Sequence, residues 1–87
     1  MENRIGVIGI VIDDPKQSAE AVNELLSAFS DIIIGRMGIP YQKRSVSFIS
    51  VMVYGTTSRI GALCGKLGRL QGVNAKSVLS NKIYQGE

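Results

Sequence analysis

Two adjacent carboxylates, Asp13 and Asp14, are by residue type the best candidates in this chain to bind a ligand or act as a general base. They follow the apolar run 5–12 and precede Pro15, between a predicted strand and a predicted helix. Proline fits the first position of a helix, and an aspartate before it can accept from a free backbone amide. The pair therefore has two interpretations: a ligand site, or the more ordinary helix cap, with Gln17 completing a capping box.

A second polar stretch, Gly55-Thr56-Thr57-Ser58, offers backbone amides and hydroxyls where another helix is predicted to begin. Such a helix start can bind an anion, although capping by one of the hydroxyls is its more ordinary role. From these loop positions we expect a small ligand to be bound by five residues. They are Asp13, Asp14, Thr56, Thr57 and Gly61.

Three basic residues, Arg59, Lys66 and Arg69, fall on one side of the second predicted helix. One interpretation is a surface that binds phosphates or an acidic partner. The other is a solvated face, in which Lys66 and Arg69 complement the helix dipole. We take the three residues as the candidate partner-binding site.

Two glycine-containing segments partly match loops that bind phosphates or nucleic acids. Gly61–Lys66 is one residue shorter than a phosphate loop, and Leu67 follows it where Ser or Thr would bind magnesium. The segment also lies inside the predicted helix instead of before it. Gly35–Gly38 has the glycine spacing of a KH clamp loop but lies near a predicted strand reversal, not between helices. We expect both segments to be structural.

The chain contains no histidine and one cysteine, Cys64. Histidine is the commonest general base and metal ligand, and a lone thiol cannot form a structural zinc site within one chain. Cys64 falls in the apolar stripe of the second helix, where a small buried hydrophobic residue is expected. The sequence therefore predicts no catalytic residues, no metal site and no cofactor.

Length and composition indicate one small cytoplasmic domain. A chain of 87 residues buries only roughly 60–65% of its unfolded surface, so an isolated copy is marginally stable. The net charge of +3 is modest and spread along the chain, which argues against direct nucleic-acid binding. The apolar run 5–12 is too short to span a bilayer, and the Asp-Asp-Pro segment after it is unlike a signal-peptide cleavage site. One cysteine fits a reducing compartment.

The hydrophobic patterns predict the order strand, helix, strand, strand, helix, strand. The predicted elements are a strand at about 4–12, a helix at about 15–29, a strand from Asp31 through Ile34, a reversal over Arg36–Arg44, a strand at about 45–54, a helix capped by 55–58, and a strand at about 73–79. Gly72 suits the left-handed position that ends a helix. This order predicts an α+β fold: a ferredoxin-like βαββαβ domain over residues 1–80, with a four-stranded antiparallel sheet and two helices on one face. Residues 81–87 are predicted to be a C-terminal tail.

The first and third strands, central in such a sheet, are apolar on both faces. Two helices cover only one face, and the other would be an unusually large exposed apolar patch. We therefore expect the chain to be its own partner, as a homodimer or tetramer through the open sheet face. The second predicted helix contains three glycines, Gly61, Gly65 and Gly68, and glycines weaken a helix. Their presence further predicts that another backbone approaches closely there.

The run Ile60–Lys76 resembles a motif of small proteins described as iron-only hydrogenase system regulators. Further similarity lies in Ala21–Leu26, Phe29-Ser30 and Arg36–Pro40, so the resemblance covers nearly the whole chain. It implies an ACT-like fold of the nickel-repressor C-terminal type and a regulatory role, including regulation of transcription. It implies no catalytic residues. This chain lacks the histidines of nickel repressors. Its predicted first strand starts almost at Met1, so we expect no DNA-binding segment of the nickel-repressor type before it.

ACT domains, which the resemblance brings in, bind small effectors where the first strand–helix loop meets a neighbouring subunit. The corresponding stretch here is Ile12–Lys16, which lacks the glycine often present in that loop. We expect a non-enzymatic regulatory module that binds a small ligand between subunits. The alternative is a docking subunit whose basic helix face binds a regulatory protein.

Overall fold

A computed structural model of the chain describes residues 2–85, with two helices packed on one face of an antiparallel sheet. The strands are β1 (Glu2–Ile12), β2 (Ile33–Tyr41), β3 (Val46–Thr56), β4 (Val73–Leu79) and β5 (Tyr84–Gln85), and the helices are α1 (Pro15–Ala28) and α2 (Thr57–Gly68). The strands lie in the order β2-β3-β1-β4, so β1 and β3 are central. The predicted α+β fold and βαββαβ order are confirmed.

The predicted tail region contains a short strand of its own. Tyr84 and Gln85 form β5 and pair with Asn3 and Glu2 of β1. Gly86 and Glu87, the last residues of the predicted tail, lie outside the described residues.

The core lies between the helices and the helix-facing side of the sheet. It consists of Ile8, Ile10, Ile12, Val22, Leu26, Ile32, Val51, Val53, Ile60, Leu63, Leu67 and Val73. Alternate residues of β1 and β3 face this core, while α1 and α2 supply residues at helical spacing. Burial of each such side chain contributes about 1.5–3 kcal/mol, so this layer holds the fold together.

The two helices begin differently. Thr56 Oγ1 accepts a hydrogen bond of 3.2 Å from the Arg59 amide, which confirms the predicted cap of α2. Asp14 occupies the capping position of α1, but within residues 2–85 its side chain accepts no capping hydrogen bond. Its backbone carbonyl accepts from the Gln17 and Ser18 amides instead. The predicted capping box is therefore wrong, and the Asp14 carboxylate is not used to begin the helix.

The reversal between β2 and β3 lies at the end of the stretch Arg36–Arg44 that was predicted to contain it. The segment 36–41, predicted as a turn from its glycine and proline, belongs to β2, and the chain reverses at Gln42–Arg44. Ser45 follows in the left-handed region, with φ 58°. The reason is position: β2 is an edge strand, and edge strands tolerate a proline such as Pro40 because their outer side needs no hydrogen bond.

Two hydrogen bonds tie the start of α1 to the turn after α2. The Asp13 amide donates to the Gly72 carbonyl at 2.7 Å, and the Ser18 hydroxyl donates to the Gln71 carbonyl. Gly72 has the left-handed angle predicted for it, φ 70°, which glycine adopts without strain. The helix itself ends earlier, at Gly68, so Gly72 lies in the turn before β4. These contacts fix the β1–α1 loop against the α2–β4 turn.

The glycines of α2 do not make the close contact predicted for them. A Cβ atom added at Gly61, Gly65 or Gly68 meets nothing within 4 Å in the described chain. This flank of α2 is therefore open, and the cost of its glycines is not offset by packing inside the protein. Within residues 2–85, neither helix has the length and apolar composition needed to cross a membrane.

Candidate functional site

An open notch of about 630 Å³ lies at the end of the sheet where β1 leads into α1. One wall is the β1–α1 loop, and the other is the end of the β2–β3 hairpin. Its lining residues are Asp13, Asp14, Pro15, Lys16, Pro40, Gln42, Ser45, Val46 and Ser47. Carboxylates, an ammonium group and hydroxyls therefore surround a space large enough for a small polar metabolite.

The structure separates the five residues predicted to bind a ligand. Asp13 follows Ile12, which pairs with Ser47, whereas Thr56 pairs with Asn3 at the other end of β1. Nine residue steps of an extended strand, from residue 3 to residue 12, correspond to about 30 Å. Asp13 and Asp14 therefore share the notch, while Thr56, Thr57 and Gly61 lie at the opposite end of the sheet. A site that combines the two groups needs two chains.

The notch also contains residues that sequence reasoning did not select. Gln42, Ser45 and Ser47 face the carboxylates across the notch, although some thirty positions separate them in sequence. The strand register brings them there, because Ser47 pairs with Ile12 immediately before Asp13. A correct placement of the reversal at residues 42–45 would have indicated this proximity.

The three candidate partner-binding residues do not form one free surface. Arg59 donates to Asp31 Oδ1 at 2.7 Å, and its guanidinium lies 4.8 Å from the centre of the Phe29 ring. Arg59 is thus engaged by the segment after α1. Lys66 and Arg69 have no acidic partner within 4 Å among residues 2–85. They border a groove of about 380 Å³ between the helices, whose floor includes Leu25 and Leu70.

The sheet surface opposite the helices is apolar and uncovered; we call it the open face. Its large side chains are Ile5, Val7, Val11, Met37, Ile39, Tyr41, Phe48, Met52, Tyr54 and Val78. Several are strongly exposed: 74% of Val78, 62% of Met37 and 61% of Ile39. Tyr84 of β5 contacts Tyr54, so the described tail shields one end of this surface and leaves the rest in water.

No metal centre is formed by the part of the chain that the structure describes. Residues 2–85 contain no group of three or more His, Cys, Asp or Glu side chains able to hold an ion. Cys64 is half-buried beside the core, in agreement with its predicted place on the apolar stripe.

The fold and these surfaces define a small ferredoxin-like α+β domain with one bare sheet face and a notch lined by both polar and apolar residues. Residues 4–77 match the TM1266-like family, whose description is "Iron-only hydrogenase system regulator, putative", and the chain belongs to this family. The family resemblance inferred from Ile60–Lys76 is confirmed. The description names a regulator.

A solved structure is similar to this chain in both sequence and fold. The chain is similar to the uncharacterized protein TM1266 from Thermotoga maritima, with 36% sequence identity and a TM-score of 0.85. The similarity covers 88% of this chain and 96% of that one. None of the curated proteins compared with the chain matches it.

Proposed function

We propose that this protein is a non-enzymatic regulatory module of an iron-only hydrogenase system, which self-associates through the open face and senses a small ligand. The observation that carries the proposal is the exposed open face. Seven of its large apolar side chains are at least 39% exposed: Ile5, Val7, Met37, Ile39, Tyr41, Phe48 and Val78. Together they expose several hundred Å², the range in which an apolar patch marks an interaction site.

A second copy of the chain fits this surface better than a charged partner does. We consider residues 5–11 of β1 and the residues paired with them in β2, β3 and β4. Among these, the open face has one charged side chain, that of Lys76. An isologous interface brings the same surface together twice, so a nearly uncharged patch avoids repulsion. A standard interface buries about 800 Å² of each partner, so the contact needs the whole open face and not one corner of it.

The notch is the proposed ligand site, and the β2–β3 hairpin links it to the open face. Gln42 and Ser45 of the hairpin face the notch, while Tyr41 and Val46 form the last paired row of the open face. A ligand held by Asp13 and Asp14 against the hairpin would favour one hairpin position. Because the same hairpin contributes to the subunit contact, that preference changes the stability of the assembly.

Sedimentation at micromolar concentration tests the assembly. We expect the wild type to form a dimer or tetramer, and the Ile39→Asp variant to be monomeric, because a charge on the open face must be desolvated on association. Ile34→Asp is the matched control: Ile34 is 66% exposed on the same strand but lies at the bulge between Ile33 and Gly35, outside the paired rows. If the wild type is a monomer at every concentration tested, the proposal of self-association is wrong.

Calorimetry with a panel of amino acids and nucleotides tests the ligand site. We expect a binder whose heat of binding is lost in the Asp13→Asn, Asp14→Asn double variant and kept in Glu20→Gln, which removes a carboxylate of α1 outside the notch. The expected binder should also shift the sedimentation profile. No binding across the panel, with self-association intact, would remove the sensing part and favour docking.

A docking subunit is the second candidate function, and the groove between the helices favours it. Lys66 and Arg69 border this groove and form no ion pair among the described residues, although Glu24 also lines the groove beside Leu25 and Leu70. A synthetic acidic amphipathic peptide is the probe, with binding measured by fluorescence anisotropy. Lys66→Glu with Arg69→Glu should abolish binding, whereas Lys43→Glu with Arg44→Glu, at the hairpin tip, should not. Equal effects would place docking elsewhere.

A further inference from the structure

The open face is not flat: a low row crosses it between two high rows. The low row runs Met37–Ser50–Gly9–Lys76, as the strand registers show. Side chains of directly opposite residues share one face of the sheet, so a row is a line of neighbouring side chains across the strands. The high rows on either side are Ile39–Phe48–Val11–Asn74 and Gly35–Met52–Val7–Val78.

The centre of the low row is a cavity. A Cβ atom added at Gly9 meets nothing within 4 Å, and the neighbouring Ser50 is small. The resulting depression measures about 240 Å³, and its walls include Val11, Met37, Ile39 and Phe48. We call this depression the Gly9 socket. It is almost entirely apolar, so leaving it filled with water costs free energy that an apolar side chain recovers.

We propose that the Gly9 socket holds the Phe48 side chain of a second copy of this chain, and that this contact sets the register of the dimer; the inference rests on the self-association proposed above. Phe48 is the large aromatic side chain of the high row that adjoins the socket, and it is 44% exposed. An aromatic side chain of this kind buries about 150–250 Å², and such residues commonly anchor interfaces.

Symmetry makes the arrangement self-consistent. Consider a two-fold axis parallel to the rows and midway between the Gly9 row and the Phe48 row. Rotation about this axis turns the two open faces toward each other and exchanges the low row with the high row. Because this axis is parallel to the rows, each residue lies opposite a residue of its own strand. Phe48 therefore enters the socket above Ser50, and Val11 lies above Gly9, in one closed, isologous contact.

The same rotation keeps the Lys76 ammonium groups of the two copies apart. Lys76 ends the low row and Asn74 ends the high row, so each ammonium group lies opposite an amide of the other copy. Lysine donates to an amide oxygen, and the two ammonium groups are kept apart. A direct Lys76–Lys76 contact, which another register would create, is avoided.

The Gly9→Val variant gives the decisive measurement. Because glycine weakens a strand interior and space is open at Gly9, the variant monomer should unfold at equal or higher denaturant concentration than the wild type. Its dimer dissociation constant, from sedimentation equilibrium, should rise at least tenfold because the socket is filled. Gly38→Val is the control, at a glycine on the helix-facing side of β2 where an added Cβ makes ordinary contacts; its association should be unchanged.

A compensating pair tests the identity of the occupant. Phe48→Ala alone should weaken the dimer, and Ser50→Leu combined with Phe48→Ala should associate more tightly than Ser50→Leu alone, because the side chain added opposite residue 48 then has room. No rescue would mean that Phe48 is not the occupant. If the wild type dimerises and Gly9→Val does so equally well, the socket inference is wrong while self-association stands. A monomeric wild type would overturn both proposals.

Discussion

The two faces of the sheet are built from the same strands yet differ completely in what covers them. On β1, Ile8 faces the helices and is fully buried, whereas its neighbour Val7 is 41% exposed on the open face. The two glycines of the strand differ in the same way. A Cβ atom at Gly6 would lie 2.7 Å from the Val78 carbonyl oxygen, and one at Gly9 would meet nothing.

The strands are suited to burial on both faces, although the described chain covers only one of them. Strands buried on both faces are continuous apolar runs, whereas a sheet with one wet face alternates between apolar and polar residues. β1 and β3 have the first pattern. The helix-facing side is therefore responsible for folding, and we assign the open face to association.

The largest expected effect comes from opening a hole on the helix-facing side. Leu63→Ala removes a fully buried side chain of α2 and should lower the free energy of unfolding by about 3 kcal/mol, in the range for buried leucines. Urea denaturation below the association concentration measures it. Ile39→Ala, on the open face, should change that free energy by less than about 0.5 kcal/mol. Equal losses at both sites would contradict the division between the faces.

The two glycines of β1 should respond in opposite ways to the same substitution. Gly6→Ala should destabilise the monomer by about 1–3 kcal/mol, because the added methyl group collides with backbone of β4. Gly9→Ala should be neutral or stabilising by up to about 1 kcal/mol. Urea denaturation of the dilute protein measures both values. Opposite signs are expected, and a loss at Gly9 would show that its surroundings are already filled.

A smaller effect is expected where α1 meets the turn after α2. Ser18→Ala removes the hydroxyl that donates to the Gln71 carbonyl and should cost about 1 kcal/mol. Thermal denaturation measures the loss. Ser27→Ala, an exposed serine of the same helix with no hydrogen bond to another element in the described structure, is the control. If both variants have the same melting temperature, the hydrogen bond between Ser18 and Gln71 contributes nothing to stability.

The smallest effect is expected at the surface ion pair. Asp31→Asn removes the partner of Arg59, and since both side chains are well exposed the cost should be below about 1 kcal/mol. The difference between variant and wild type should shrink further at high salt, where exposed charges are screened. Denaturation at two ionic strengths measures it. A larger loss that salt does not reduce would point to the contact of Arg59 with Phe29 instead.

Much of the fold could be predicted from the sequence, because hydrophobic spacing and cap residues are local signals. Thr56 and Pro15 marked the starts of the two helices correctly, whereas Gly72 marked the turn before β4 and not the end of α2. The limit of β2 could not be predicted in this way. Gly38 and Pro40 are turn residues by composition, and only the knowledge that β2 lies at an edge shows that the strand tolerates them.

The candidate sites were less accessible to sequence reasoning, because they depend on which distant segments meet. Asp13 and Asp14 both line the notch, but the hairpin residues opposite them depend on the β1–β3 register. Thr56 was grouped with them by loop type, although antiparallel pairing places it at the other end. Arg59 was treated as a free charge because its partner Asp31 lies 28 positions away.

The irregular outer margin of β2 has a consequence for growth by strand addition. Pro40 cannot donate a hydrogen bond, and the bulge between Ile33 and Gly35 interrupts the regular spacing of backbone groups. A strand of another molecule therefore cannot form a continuous ladder of hydrogen bonds along this edge. β4 is a regular strand without proline or bulge. Backbone pairing between molecules, including unwanted fibre formation in concentrated samples, is therefore confined to the β4 margin, and a proline placed there should suppress it.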